Sequence, residues 1–169
     1  MKRTDKSLLE QMQISDTEIS HRMTLLGLDR QLFDLLTAQQ AVIEDGIDDI
    51  VDEFYEAQTA VDEIALLIGD AETLARLRAA QRMYVIDLFR GIYNSEYVNN
   101  RLRIGMVHKR IGVEPKLYLA AVRTLKEIIF RTLARAIQDS GVRERTLDAV
   151  DRLLNGIESK AFGCAPAAR

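Results

Sequence analysis

Apolar residues recur along this chain with a period near 3.6, and nowhere do they alternate with period two for long. A helix gathers such a repeat into one apolar stripe, whereas a strand scatters it over both faces. The pattern commits the chain to an all-α fold. Leu28, Leu32, Leu35, Leu36, Val42 and Ile43 make one stripe, broken by Asp45-Gly46. Ile47, Ile50, Val51, Phe54 and Tyr55 make the next, turning Phe54 and Tyr55 inward. A shorter helix over about residues 61–68 stops at Gly69. Asp70 then caps a helix with Leu74, Leu77, Tyr84 and Leu88 inward and Gly91 at its close. Asn94-Ser95 opens the helix that carries Tyr97, Ile104, His108 and Ile111. Pro115 begins another that reaches Gly141, roughly 39 Å at ~1.5 Å per residue. A final helix covers about residues 143–157.

These elements, about seven helices, make one domain. Residues 1–24 form a polar N-terminal extension with a short helix after Asp16, residues 25–157 form the body, and residues 158–169 form a flexible tail. No internal repeat or low-complexity linker divides the 169 residues, which suffice to bury a core.

Charge narrows the function classes. With 23 basic against 26 acidic residues the net charge is −3, and no basic patch interleaves with aromatics, which argues against a nucleic-acid partner. The longest apolar run, Leu117 to Val122, is six residues, far short of a membrane span, and no secretory leader is recognisable. The single cysteine, Cys164, allows neither an internal disulfide nor a cysteine-based metal site. A cytoplasmic protein is the expectation.

His108 concentrates the remaining information. Ile104, His108 and Ile111 share one helix face, so the imidazole sits among aliphatics rather than charges. Such a histidine is more often a core residue whose ring nitrogens find partners than a ligand. A neutral imidazole in an apolar wall is also what a metal ion requires. Periodicity alone leaves both readings open. His21, the other histidine, lies among Ser20, Arg22 and Thr24 and reads as a solvated surface residue.

Two separated motifs carry a resemblance. Val51-Asp-Glu-Phe-Tyr55 resembles the distal-side helix of the globin-coupled sensors, the haem domains of bacterial aerotaxis transducers, oxygen-sensing diguanylate cyclases and globin-coupled histidine kinases. His108-Lys-Arg-Ile-Gly-Val-Glu-Pro-Lys-Leu-Tyr118 is similar to the proximal motif of that family. Tyr55 and His108 lie 53 residues apart in the order the family uses, and the likeness is good from about Leu25 to Phe130.

The resemblance implies a globin fold of the sensor type, with an extra N-terminal helix and long C-terminal helices that form a dimer bundle. It implies haem b as cofactor, His108 as the proximal iron ligand, and Tyr118 beside it to orient the ring. Tyr55 matches the distal tyrosine, a donor to bound oxygen, while Leu77 and Ala80 face the gas. Ala80, small and apolar where some members carry a hydrogen-bonding residue, leaves Tyr55 as the only clear polar distal group. Phe54, Tyr84, Leu88, Tyr97 and Ile104 are expected to wall the haem cavity, and Arg110, Gly112 and Pro115 to set the proximal turn.

In function, the resemblance implies a sensory domain without turnover. It would bind O2 reversibly at ferrous haem, with CO and NO as further ligands. Ligation state would pass through a homodimer interface to an output module absent from this chain, such as a kinase, a diguanylate cyclase or a chemotaxis transducer, or to a partner protein. The apolar stripes Leu125, Ile128, Ile129, Leu133, Ala136, Ile137 and Leu147, Val150, Leu153, Leu154, Ile157 are read as that dimer surface. The chain is either an excised domain or a stand-alone single-domain sensor. Two other classes compete: a globin with nitric oxide dioxygenase or related redox activity, and a haem-free interaction module. No flavin or nicotinamide motif supports the first, and retention of His108 and Tyr55 argues against the second.

Overall fold

Short polar side chains ahead of the apolar stripes open half of the helices. In the computed structural model, which describes residues 8–163 and side chains through residue 156, ten helices follow one another and no strand occurs among the described residues. α1 (Leu8–Gln11) is a single turn. The hydroxyl of Ser15 accepts the Glu18 amide at 3.2 Å to start α2 (Asp16–Leu25). Asp29 accepts the Leu32 amide at 3.0 Å to start α3 (Arg30–Thr37). α4 (Gln40–Asp45) and α5 (Ile47–Thr59) share Gly46 between them. α6 (Asp62–Ile68) precedes Asp70, whose carboxylate accepts the Thr73 amide at 2.7 Å ahead of α7 (Ala71–Asp87). Asn94 accepts the Tyr97 amide at 3.0 Å and opens α8 (Ser95–Arg110). Pro115 occupies the first turn of α9 (Pro115–Ala136), and α10 (Ser140–Gly163) ends the described chain.

Three boundaries differ from the sequence reading, each for a local reason. The stripe from Leu28 to Ile43 is two helices, because the chain breaks at Ala38-Gln39. The helix begun by Pro115 stops at Ala136, because Ile137 is extended and Asp139 accepts the Val142 amide at 2.8 Å to begin the next helix early. α10 runs to Gly163, past the Ile157 expected to end it. It continues through Gly156, where a Cβ would lie 2.2 Å from Leu26 Cδ1, so glycine there answers close packing rather than a helix stop. His21 is exposed, as its polar neighbours imply. Cys164 and the rest of residues 164–169 lie outside the described residues.

α5 packs on α7 and α9, while α10 packs on α3, α8 and α9. Leu36, Ile43, Val85, Phe89, Ile129 and Leu133 are fully buried at the centre. The two C-terminal stripes supply much of that centre: Leu125, Ile128, Ile129, Leu133, Ile137, Val150, Leu153 and Leu154 are all buried within the single chain. Ala136 is exposed. The stripes therefore close the domain's own core, and they do not serve as evidence for a dimer surface. α1 lies on α8, where Leu9, Ile19 and Leu102 form a satellite cluster. Among the described residues no helix is long and apolar enough to cross a membrane.

Candidate functional site

α5, α7, α8 and α9 leave a cleft between them of about 360 Å³, at the lower end of the ~300–1,000 Å³ usual for ligand sites. It continues into a recess of about 140 Å³ bordered by α6. Phe54, Tyr55, Leu77, Ala80, Tyr84, Ile104, His108 and Tyr118 line it together. Four helices thus bring eight of the ten residues singled out from the sequence to one place.

The other two go elsewhere. Leu88 follows the last turn of α7 and is buried in the central core beside Phe89, not on the cleft wall. Tyr97 is buried in the first turn of α8 and lines a separate hollow with Tyr93. It precedes His108 by eleven residues, which is about 16 Å along a helix and too far to share its cleft. Periodicity placed both residues inward correctly, but it does not say against which neighbour.

His108 occupies the last turn of α8, where its orientation is fixed twice. Gly112, at φ +78°, lets the amide of Val113 reach back to the His108 carbonyl at 3.0 Å and that of Gly112 to Lys109 at 3.3 Å, a Schellman turn. The ring Nδ1 lies 3.0 Å from the Ile104 carbonyl. A carbonyl only accepts, so Nδ1 carries the proton and Nε2 keeps its lone pair. Burial pushes the His108 pKa below its ordinary value, outweighing the opposing effect of the Ile104 hydrogen bond, so the ring is held neutral. Tyr118, on α9, meets the imidazole edge to face, with ring centres 5.3 Å apart.

Elsewhere on the cleft lining, Tyr55 and Phe54 are both buried on α5 and stack edge to face at 5.1 Å. Burial raises the Tyr55 pKa to about 12, so the phenol stays protonated and is a hydrogen-bond donor throughout the neutral range. Two amides missed in the sequence join it. Gln58 is buried one turn beyond Tyr55 and lines the recess, and Gln81 on α7 lines both cleft and recess. Tyr55 is therefore not the only polar group facing the space. The signal was spacing: Gln58 stands three residues from Tyr55 and Gln81 four from Leu77, on the same helix faces. Arg103 also borders the cleft, the one Lys or Arg on its wall among the described residues.

Elsewhere the walls are apolar, and several of them remain open to solvent: Leu67 is 40% exposed, Leu77 37%, Val107 44% and Ile111 47%. Such apolar surface facing a cleft fits a broad apolar ligand. Among the described residues no three His, Cys, Asp or Glu side chains gather to hold a bare ion. A single imidazole nitrogen leaves most of a transition metal's coordination positions unfilled, so a metal here suits a carrier that brings its own ligands.

An all-α body with a lone neutral imidazole and a buried tyrosine lining one apolar cleft has the architecture of a globin. The structure superimposes on the globin domain of the Geobacter sulfurreducens globin-coupled sensor with a TM-score of 0.78 at 19% identity, covering 82% of this chain and 92% of that one. The Protoglobin family model matches residues 15–156. The chain belongs to this family, the sensor globins of the globin-coupled sensors. It is also 29% identical over 150 residues to the heme-based aerotactic transducer HemAT of Halobacterium salinarum, covering 88% of this chain. This chain spans 30% of the length of that relative.

Proposed function

We propose that the chain is a haem-based gas-sensing domain that holds haem b through His108, binds O2 reversibly and performs no turnover itself. The observation that carries this reading is the hydrogen bond from His108 Nδ1 to the Ile104 carbonyl, because it commits one ring nitrogen to the protein and leaves the other, unprotonated, in an apolar cleft. The apolar walls suit a flat macrocycle that would cover Leu67, Leu77, Val107 and Ile111. Arg103 is the wall residue suited to haem carboxylates. No cysteine precedes His108, so the C-x-x-C-H attachment of a c-type haem is not available and binding would be noncovalent. When bound, haem would supply an iron that His108 would hold and that can take up a diatomic gas reversibly.

The chain's own residues then have separate tasks. Ile104 and the Gly112 turn orient the imidazole; Tyr118 packs on it. Tyr55 offers a phenolic proton to a polar gas ligand, with Gln58 and Gln81 as further amide donors. Phe54, Leu77, Ala80, Tyr84 and Ile104 exclude water. Residues 25–157 are the working bounds of the sensor body. Its signal would pass through a homodimer to an output module or partner protein; the likeness to a transducer about three times its length supports the output module.

The absorption spectrum of protein purified from a haem-sufficient host tests the reading. A Soret band that survives gel filtration and disappears in His108→Ala is the expected result. Protein that stays colourless after haem reconstitution would refute it.

A further inference from the structure

A second hollow lies between the N-terminal helices and the α8–α10 face, and it shares no lining residue with the cleft. Leu28, Phe33, Leu102 and Leu153 make its walls apolar, and its charged lining residues are Arg22 and Arg101, both cations. Arg22 is committed to Glu18 on its own helix. Arg101 is different. It is 7% exposed and is the only buried charged side chain among the described residues.

Its guanidinium is only partly provided for. Nη2 donates to the Tyr84 carbonyl at 3.2 Å, and the group lies 3.9 Å from the ring centre of Tyr84 and 4.5 Å from that of Tyr97. These contacts stabilise the charge through the aromatic faces. No described carboxylate pairs with it, and its buried Nε–H has no hydrogen-bond acceptor. A buried donor left without a partner is costly, and one on a cation more so. The fold has already removed this cation from water, so an arriving anion meets a partner whose desolvation is complete, which removes much of the usual penalty of a buried ion pair. Of common anions, a carboxylate best matches the planar N–H edge of a guanidinium.

Size and wall chemistry complete the description. The free space is about 70 Å³, roughly half that of the ~150 Å³ apolar cavity that admits benzene. A small headgroup with a few carbons fits, and a long chain does not. We propose that this hollow is a binding site for a short-chain monocarboxylate, its carboxylate on the Nε–H of Arg101 and its tail against Leu28, Leu102 and Leu153. The site is independent of what fills the cleft.

Butyrate is the probe, followed by NMR on the whole chain. The Nε–H resonance of Arg101, assigned through its own side chain, should move downfield and saturate with a midpoint below about 1 mM. The methyl signals of Leu102 and Leu153 should move with it in the unaltered protein, so the result does not depend on any variant folding. 1-Butanol, which has the tail without the charge, should bind at least about tenfold more weakly, the loss of one charge-assisted hydrogen bond. Arg101→Lys should weaken butyrate by a similar factor. An Arg101 signal indifferent to butyrate overturns the proposal. So does an equal response to sodium chloride, or equal affinity for butanol.

Discussion

The amide of Val113 donates to the carbonyl of His108 at 3.0 Å, while the ring of the same histidine is held through Nδ1 by Ile104. Backbone and side chain of one residue are thus set by two independent hydrogen bonds, one on each side of it in sequence. The first exists only because Gly112 adopts a positive φ. The imidazole is consequently positioned by its own helix end, and Tyr118 of α9 packs against it.

Gly112→Ala tests that turn. A Cβ there would meet nothing within 4 Å, so the cost is purely conformational. Forcing a non-glycine residue into the left-handed region costs about 1–2 kcal/mol, which lowers the melting temperature by about 2–8 °C at this size. Gly112→Asn should recover part of the loss, because asparagine tolerates that conformation. Thermal unfolding of the three proteins checks the order. Equal stability of the alanine variant would mean that the turn is not held as described.

A pH dependence follows from the burial of His108. Its folded pKa lies below the ordinary 6.5, so the neutral ring is favoured by folding. Above about 6.5 the ring is neutral in both folded and unfolded chains, and its contribution to stability is complete. As pH falls through the lowered folded value, the unfolded chain takes up the proton more readily and that contribution is lost. In haem-free protein the His108 ring should titrate below 6.5 by NMR, and His108→Asn should flatten this part of the stability profile. A midpoint at or above 6.5 would show a solvated ring.

The helices and their starts were readable because caps and stripes are local: Asp70, Asn94 and Pro115 each open a helix where the sequence places one. Which neighbour a stripe meets is not local. Leu88 and Tyr97 face inward as their spacing requires, yet meet the core and a second hollow. Gln58 and Gln81 escaped notice for the opposite reason. An amide on an otherwise inward face looks like an interruption until the elements around it enclose a space. The stripes of α9 and α10 carried the same ambiguity, since a core and a subunit interface demand the same residues.

That ambiguity is open to experiment at Leu133, fully buried within one chain. Leu133→Ala should destabilise by about 2–5 kcal/mol, the usual cost of a cavity in a core, whatever the protein concentration. Sedimentation of the folded variant should match that of the parent. Loss of oligomer with little loss of unfolding free energy would mean that Leu133 serves a contact between subunits instead.

Gas release reads the tyrosine of the cleft. The Tyr55 phenol stays protonated up to about pH 12 and is buried beside Phe54, so it can donate to a bound polar ligand without itself ionising. Removing the hydroxyl in Tyr55→Phe keeps the ring packing and takes away one hydrogen bond, worth about 1 kcal/mol. Oxygen dissociation from haem-loaded protein should then accelerate about fivefold, with carbon monoxide release changed much less because that ligand is a poorer acceptor. Stopped-flow displacement measures both rates. Gln81→Leu and Gln58→Leu serve as comparisons, since both amides line the same space. If Tyr55→Phe leaves the oxygen off-rate unchanged while a glutamine variant raises it, the stabilising donor is the amide and not the phenol.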